Sequence, residues 1–264
     1  MSFVLSALIV AGLLPLSLAL WANRGTSLLH AHIWALVAWL SFGLAFLCDD
    51  LERAGMQPGR YCAMCLTGCA GVSVLGARQP HVFAWNFVVL GLFTVMVLPL
   101  METQFIGTHP VDGLRILFMA GTIAVGSLNY LPTRLAPTAL LLMLIGAGEM
   151  TRLYAPALWP GFGAGMVFDL LLSSVPWLAW VCLAGRTADR SDFDRLWLTF
   201  RDRWGLVWGQ RVREQFNNAA QNAGWPVKLA WHGLTCGKDE SPAADQEKFV
   251  EMLQMILQRF LAAD

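Results

Sequence analysis

Seven stretches of this chain, near residues 3–22, 31–48, 61–77, 82–101, 114–131, 135–152 and 166–184, are apolar and almost free of charge. Each approaches the roughly 20 residues that one helix needs to cross a bilayer, the third and fifth being the shortest. Water is absent from the hydrocarbon layer, so a segment crossing it must satisfy its own backbone, and a helix does so without neighbours. The connections carry turn residues, among them Asn23-Arg24-Gly25, Gln57-Pro58-Gly59-Arg60, Gln79-Pro80, Pro132-Thr133-Arg134 and Trp159-Pro160-Gly161. Short connections make consecutive helices antiparallel, so the expected fold is an all-α integral membrane protein, an up-and-down bundle of about seven transmembrane helices. The first stretch has no basic n-region and leads straight into further apolar segments; it reads as a retained span, not a cleaved leader.

Composition supports the same class and divides the chain. Hydrophobic residues make up 56% and charged ones 14% of the 264 residues, against about a quarter charged in an ordinary soluble domain. Eleven of the 18 Lys and Arg and eleven of the 18 Asp and Glu lie from Arg186 onward. Residues 1–185 therefore form the transmembrane part, and 186–264 a charged C-terminal tail. A unit shorter than about 80 residues buries little apolar surface alone, so the tail is expected to lean on the bundle or on a partner.

Within the tail, Ser191 caps a helix whose first turn holds Asp192 and Asp194. Phe193, Trp197, Phe200, Trp204, Trp208, Val212 and Phe216 recur at helical spacing, predicting a long amphipathic helix to about Gly224. Residues 227–232 alternate like a short strand, but a lone strand is unstable, so an extended connector is expected there. Thr235 to Pro242 reads as turn or loop. Phe249, Val250, Leu253, Ile256, Leu257 and Phe260 define a second amphipathic helix.

Inter-helix arginines do not decide orientation: Arg24, Arg78 and Arg134 fall on one side, Arg53, Arg60, Arg115 and Arg152 on the other. Arg186, Arg190 and Arg195 follow the last span closely, which places the tail in the cytoplasm and the N-terminus outside, in the cell (inner or plasma) membrane.

Four groups of residues are candidates for chemistry. All seven acids of the transmembrane part, Asp49, Asp50, Glu52, Glu102, Asp112, Glu149 and Asp169, map to the outer side, which would attract cations. Glu149 and Asp169 lie within spans, where ionisable groups are costly and often functional; they mark a candidate cation pathway. Arg152 lies one turn from Glu149, whereas Asp169 has no local partner. Asn86 and Asn129 are read as interhelical hydrogen-bonding groups.

The second group is the run Cys62, Cys65 and Cys69. At about 100° per residue these share one face with Ser73 and Gly76, a small-residue stripe suited to close approach by another helix. Cys48 and Cys62 border the same outer loop, where they could join by a disulfide; with Cys65 and His109 they form a candidate soft-metal set. Third, His30, His32 and His81 gather on the inner side, but His30 and His32 point about 200° apart on a helix and cannot share one ion or haem. No cofactor is predicted, a soft metal ion or haem being the alternative.

The fourth group is Trp197, Trp204, Trp208, Trp225 and Trp231 in the tail, a residue type enriched at contact hot spots. The competing reading makes these rings the tail's own core. No phosphate-cradling loop, H-E-x-x-H helix or G-x-S-x-G elbow is present, so catalysis is not the leading expectation. The leading reading is a membrane scaffold, assembly or regulatory subunit acting through its Trp-rich tail. A cation or proton carrier using Asp169, and a redox or metal-dependent enzyme using Cys48, Cys62 and Cys65, are the alternatives. Expected partners are membrane lipid and a protein, or a second copy, at the tail; no nucleic acid is expected.

Overall fold

The computed structural model describes residues 2–48, 58–78, 81–106, 113–154, 162–185, 191–236 and 246–261. Among the described residues are nine α-helices: α1 (Ser2–Ala22), α2 (Leu29–Cys48), α3 (Pro58–Ser73), α4 (Val82–Ile106), α5 (Gly113–Leu128), α6 (Ala136–Tyr154), α7 (Phe162–Ala184), α8 (Asp192–Asn222) and α9 (Gln246–Leu257). A hairpin of β1 (Val227–Ala230) and β2 (Gly233–Cys236) lies between the last two. All seven apolar stretches are helical. Four helices, α1, α2, α4 and α7, are long and apolar enough to cross a membrane. At 16 residues each, α3 and α5 extend about 24 Å, short of the ~30 Å hydrocarbon layer, and α6 carries Glu149 and Arg152 in its second half.

The first seven helices do not pack as one filled bundle. Helices α1, α2, α3, α5, α6 and α7 each touch the next, and α7 returns to α1, closing a ring; α4 packs outside it on α3. Small residues make α3 the hub. A Cβ on Gly71 or Gly126 would sit 2.8 or 2.7 Å from the other's Cα, so α3 and α5 cross at backbone contact. The opposite face of α3 receives α4: Cys65 Sγ lies 3.7 Å from the Met96 carbonyl, Cys69 Sγ 3.8 Å from that of Val89, and the Trp85 ring covers Gly76. The predicted small-residue stripe thus faces α4.

The ring surrounds a cavity of about 280 Å³, lined almost wholly by carbon. Ala31, Ala35 and Ala38 face it from α2, Ala70 and Gly71 from α3, and Gly126 from α5. The inward residues at this level are too small to meet across the centre.

The tail closes one end of the ring. Its core, built on Phe193, Trp197, Phe200, Trp204, Trp208, Phe216, Leu253 and Phe260, is continuous with Leu28, Ala31, Val74 and Ala77 of the first part. Helix α8 is two helices meeting at Gly205 (φ +79°, ψ −164°), a break that the apolar periodicity does not reveal. Its C-terminus is a Schellman closure: Trp225 N–H donates to Ala220 O and Gly224 N–H to Gln221 O, with Gly224 at φ +69°.

The extended segment is not a lone connector. Val227 pairs with Cys236 and Ala230 with Gly233, so Gly233–Cys236, whose last two residues read from sequence as the start of a loop, supplies the partner strand. Side chains of α8 supply the rest of the support. Asn217 Oδ1 accepts from Leu229 N–H at 2.6 Å, its Nδ2 donates to Leu229 O, and Asp194 Oδ1 accepts from Leu234 N–H at 2.9 Å.

Candidate functional site

At the end of the ring away from the tail, the start of α3 brings Arg60 against two carboxylates. Its guanidinium donates to Asp169 Oδ1 at 2.6 Å and Oδ2 at 3.1 Å, a two-pronged pair between α3 and α7. Glu149 Oε1 of α6 lies 3.5 Å from the same Nη1, and the Phe46 ring of α2 lies 4.4 Å from the guanidinium carbon. Arg60 is 4% and Glu149 5% exposed at the side chain, so four helices are fastened by one buried ionic cluster. Asp169, which has no partner near it in sequence, finds one 109 positions away. Glu102 is likewise held by Arg115 at 2.7 and 3.2 Å. The three predicted outer acids that are described therefore each lie against an arginine; Asp49, Asp50, Glu52 and Asp112 lie outside the described residues.

Cys65 and Cys69 are buried and Cys62 half-buried, all as free thiols. The side chain of Cys48, and His109 entirely, lie outside the described residues, so the predicted metal set is represented by Cys62 and Cys65 alone. Among the described residues no three His, Cys, Asp or Glu side chains converge as a ligand group. His32 lines the cavity, with Nδ1 3.0 Å from Leu28 O and Nε2 3.5 Å from Asn23 Nδ2. His30 is half-buried, and His81 lies exposed just before α4.

The tail junction is a second, densely bonded polar site. Asn129, just past α5, reaches into the Gly205 break: its Nδ2 donates to Trp204 O at 3.2 Å, its Oδ1 accepts from Val207 N–H at 3.0 Å, and its own carbonyl accepts from Leu206 N–H at 2.7 Å. Only a glycine fits at 205, because a Cβ there would collide with the Asn129 amide and the backbone is left-handed. Tyr130 Oη donates to Arg203 O, Trp208 Nε1 to Val74 O, and Trp204 Nε1 to Ser27 Oγ at 3.4 Å. Three connections of the bundle, 23–28, 74–78 and 129–135, are thereby tied to one helix pair.

Of the five tail tryptophans, Trp197, Trp204 and Trp208 are buried at 0%, 4% and 6%, inside the tail core and against the bundle. Trp225 stands half-exposed over Phe249, and Trp231 half-exposed beside Trp197, with its Nε1 donating to Pro132 O at 2.7 Å. Gly209, one turn after Gly205, makes room for the Trp231 ring. Asn129 was legible as a polar group in an apolar segment; its partner on the tail was not. Arg60 carried no signal beyond its charge. Comparison with known proteins finds no matching family model, no similar curated protein and no similar solved structure.

Proposed function

We propose that the chain is a multi-pass membrane protein of seven spans, N-terminus outside and tail in the cytoplasm, serving in the cell membrane as a scaffold, assembly or regulatory subunit. The docked tail carries the reading. A platform bonded to three connections of the bundle moves with it as one body, and so offers a partner a surface of fixed geometry. Membrane insertion draws support from the bundle's exterior, where Val10, Leu14, Trp21, Phe83, Phe87, Leu117 and Val181 are exposed; an apolar surface of that extent belongs in lipid or against protein. The shorter α3 and α5 span with local thinning of the bilayer.

Within this reading Trp197, Trp204 and Trp208 hold the platform in place, and the half-exposed Trp225 and Trp231 are the rings placed to meet a partner. The carrier alternative rests on Asp169 and Glu149, whose charges Arg60 partly balances. The metal alternative rests on Cys48 and His109 joining Cys62 and Cys65. Neither gains an observation from the described geometry.

Reporter fusions after each predicted span test topology: cytoplasmic signal is expected after 24, 78, 134 and 186, and any other alternation overturns the seven-span arrangement. The scaffold role is tested by cross-linking in native membranes at ordinary expression level. A stoichiometric partner, lost when Trp225 and Trp231 are replaced by Ala in a chain that still melts normally, is the expected result. A chain recovered alone overturns the role.

A further inference from the structure

The end of the bundle that meets the tail carries cations without counter-charges. At the other end Arg60 and Arg115 each face a carboxylate. At the tail end Arg24 on connection 23–28, Arg78 on connection 74–78, and Arg203 and Arg211 on α8 form no ion pair with any described residue. The two on α8 lie against the bundle: Tyr130 Oη donates to Arg203 O, and the Arg211 guanidinium carbon stands 5.2 Å from the ring of Trp208, whose Nε1 donates to Val74 O. Every acid of α8 is engaged elsewhere, Asp192 by Arg195, Asp194 by Leu234 N–H, Asp202 by Arg201 and Arg134, and Glu214 by Gln210. Arg24 and Arg211 are exposed, Arg78 and Arg203 half-buried.

The apolar surface of the tail gathers at the same end. Among its described residues four large apolar side chains are exposed, Leu206, Val207, Met255 and Leu261. Three of the four are at the junction. Leu206 and Val207 donate their N–H groups to Asn129, next to exposed Leu128 at the end of α5, and Leu261 follows Phe260, whose carbonyl accepts from Ser27 N–H. Trp21 in the last turn of α1 and Phe83 in the first turn of α4 are exposed at this level as well, so the apolar exterior of the bundle continues onto the tail.

We propose that this end of the molecule is a docking surface for anionic phospholipid: Arg24, Arg78, Arg203 and Arg211 take the headgroup phosphates of the leaflet on the tail side, and Leu206, Val207 and Leu261 enter the edge of its acyl layer. Arginines beside exposed apolar side chains are the pairing that holds a protein at a charged bilayer surface. The occupant follows from where these groups lie. They come from the α1–α2, α3–α4 and α5–α6 connections and from α8, and a leaflet meets all of them at once because it surrounds the bundle. The proposal rests on the reading of the bundle as membrane-embedded and adds to it a lipid class and the residues that select it.

The test titrates the purified full-length protein in dodecyl maltoside with phosphatidylglycerol, phosphatidylcholine or glycerol phosphate and counts bound molecules by native mass spectrometry. Expected is saturable binding of phosphatidylglycerol, several-fold tighter than phosphatidylcholine and weakened by added salt. Arg24→Gln, Arg78→Gln, Arg203→Gln and Arg211→Gln should each weaken it by up to about fivefold, and Arg195→Gln, whose guanidinium is already held by Asp192, should not. Equal retention of the two lipids by the unaltered protein, or an equal loss with Arg195→Gln, overturns the site. Glycerol phosphate binding as tightly as the lipid would make this a soluble-phosphate site and overturns the leaflet as occupant. In vesicles containing phosphatidylglycerol, benzoyl-phenylalanine in place of Leu206 or Leu261 should cross-link to lipid on illumination, and in place of Met255 should not. Cross-links from 206 or 261 to protein, whether a second copy or another chain, overturn it too. The titration in detergent depends neither on the number of spans nor on a protein partner, so its failure is distinct from failure of the topology or scaffold assays.

Discussion

A buried carboxylate, Glu149, and a partly buried one, Asp169, face one guanidinium, which makes Arg60 more costly to remove than either acid. Replacing it by Ala would take away the guanidinium that both acids face, a loss of roughly 3–5 kcal/mol for a broken buried pair. Arg60→Ala should therefore lower the thermal midpoint of the detergent-solubilised protein by about 10 °C. Adding Asp169→Asn and Glu149→Gln should restore much of it, because neutral amides need no counter-charge. A triple variant no more stable than the single one would show that the arginine acts by packing on Phe46, not by charge. The sequence exposed both acids as anomalous and left the arginine unremarked, since the link spans 109 positions and no local spacing encodes it. Asn129 makes the same point at the other end. Asn129→Leu would strand the Trp204 carbonyl and the Val207 N–H, each worth about 1–3 kcal/mol when buried unpaired, and should make the α8 break cleavable by protease while the bundle stays intact.

At the scale of elements, helix periodicity and apolar length were legible because each is a local property of the chain. What was not legible is how the helices close. The small-residue stripe of Cys62, Cys65, Cys69, Ser73 and Gly76 reads from sequence as close packing, but the closest helix approach is made by Gly71 and Gly126. On α2 the equally small Ala31, Ala35 and Ala38 face the cavity, because the ring sets who sits opposite and the sequence does not. Gly126→Val should force α3 and α5 apart at their crossing and cost about 2–3 kcal/mol by overpacking, read as an earlier unfolding midpoint; a neutral result would place the two helices further apart than described. The hairpin was missed for a related reason. Its second strand, Gly-Leu-Thr-Cys, is only four residues and begins with a glycine at φ +143°, and the groups that hold it are Asp194 and Asn217 on α8. Asp194→Ala should loosen the hairpin by about 1–2 kcal/mol, seen as faster amide exchange at Leu234 with α8 still protected.

For the whole molecule, the division at residue 186 visible in charge does not coincide with a division of the core. The tail's hydrophobic cluster takes in Leu28, Ala31, Val74 and Ala77, and Trp204 and Trp208 place their indole N–H groups on Ser27 and Val74. Cut at 186, the tail would present Phe200, Trp204, Trp208 and Phe260 to water on the face that the bundle now covers, and the two halves of α8 would meet at Gly205 with nothing in place of Asn129. A unit of that length has little stability to spare, and losing that cover removes a substantial part of its buried apolar area at roughly 25 cal/mol per Å². The isolated 186–264 fragment should therefore keep helical far-ultraviolet signal but lose the near-ultraviolet signal of its fixed tryptophans and melt without a cooperative transition. In the intact chain, tryptophan fluorescence from the tail and helix loss from the bundle should unfold together. A fragment that melts sharply with fixed aromatic signal would make the tail an independent domain resting on the bundle, and the single-body coupling required of the proposed scaffold would fail with it.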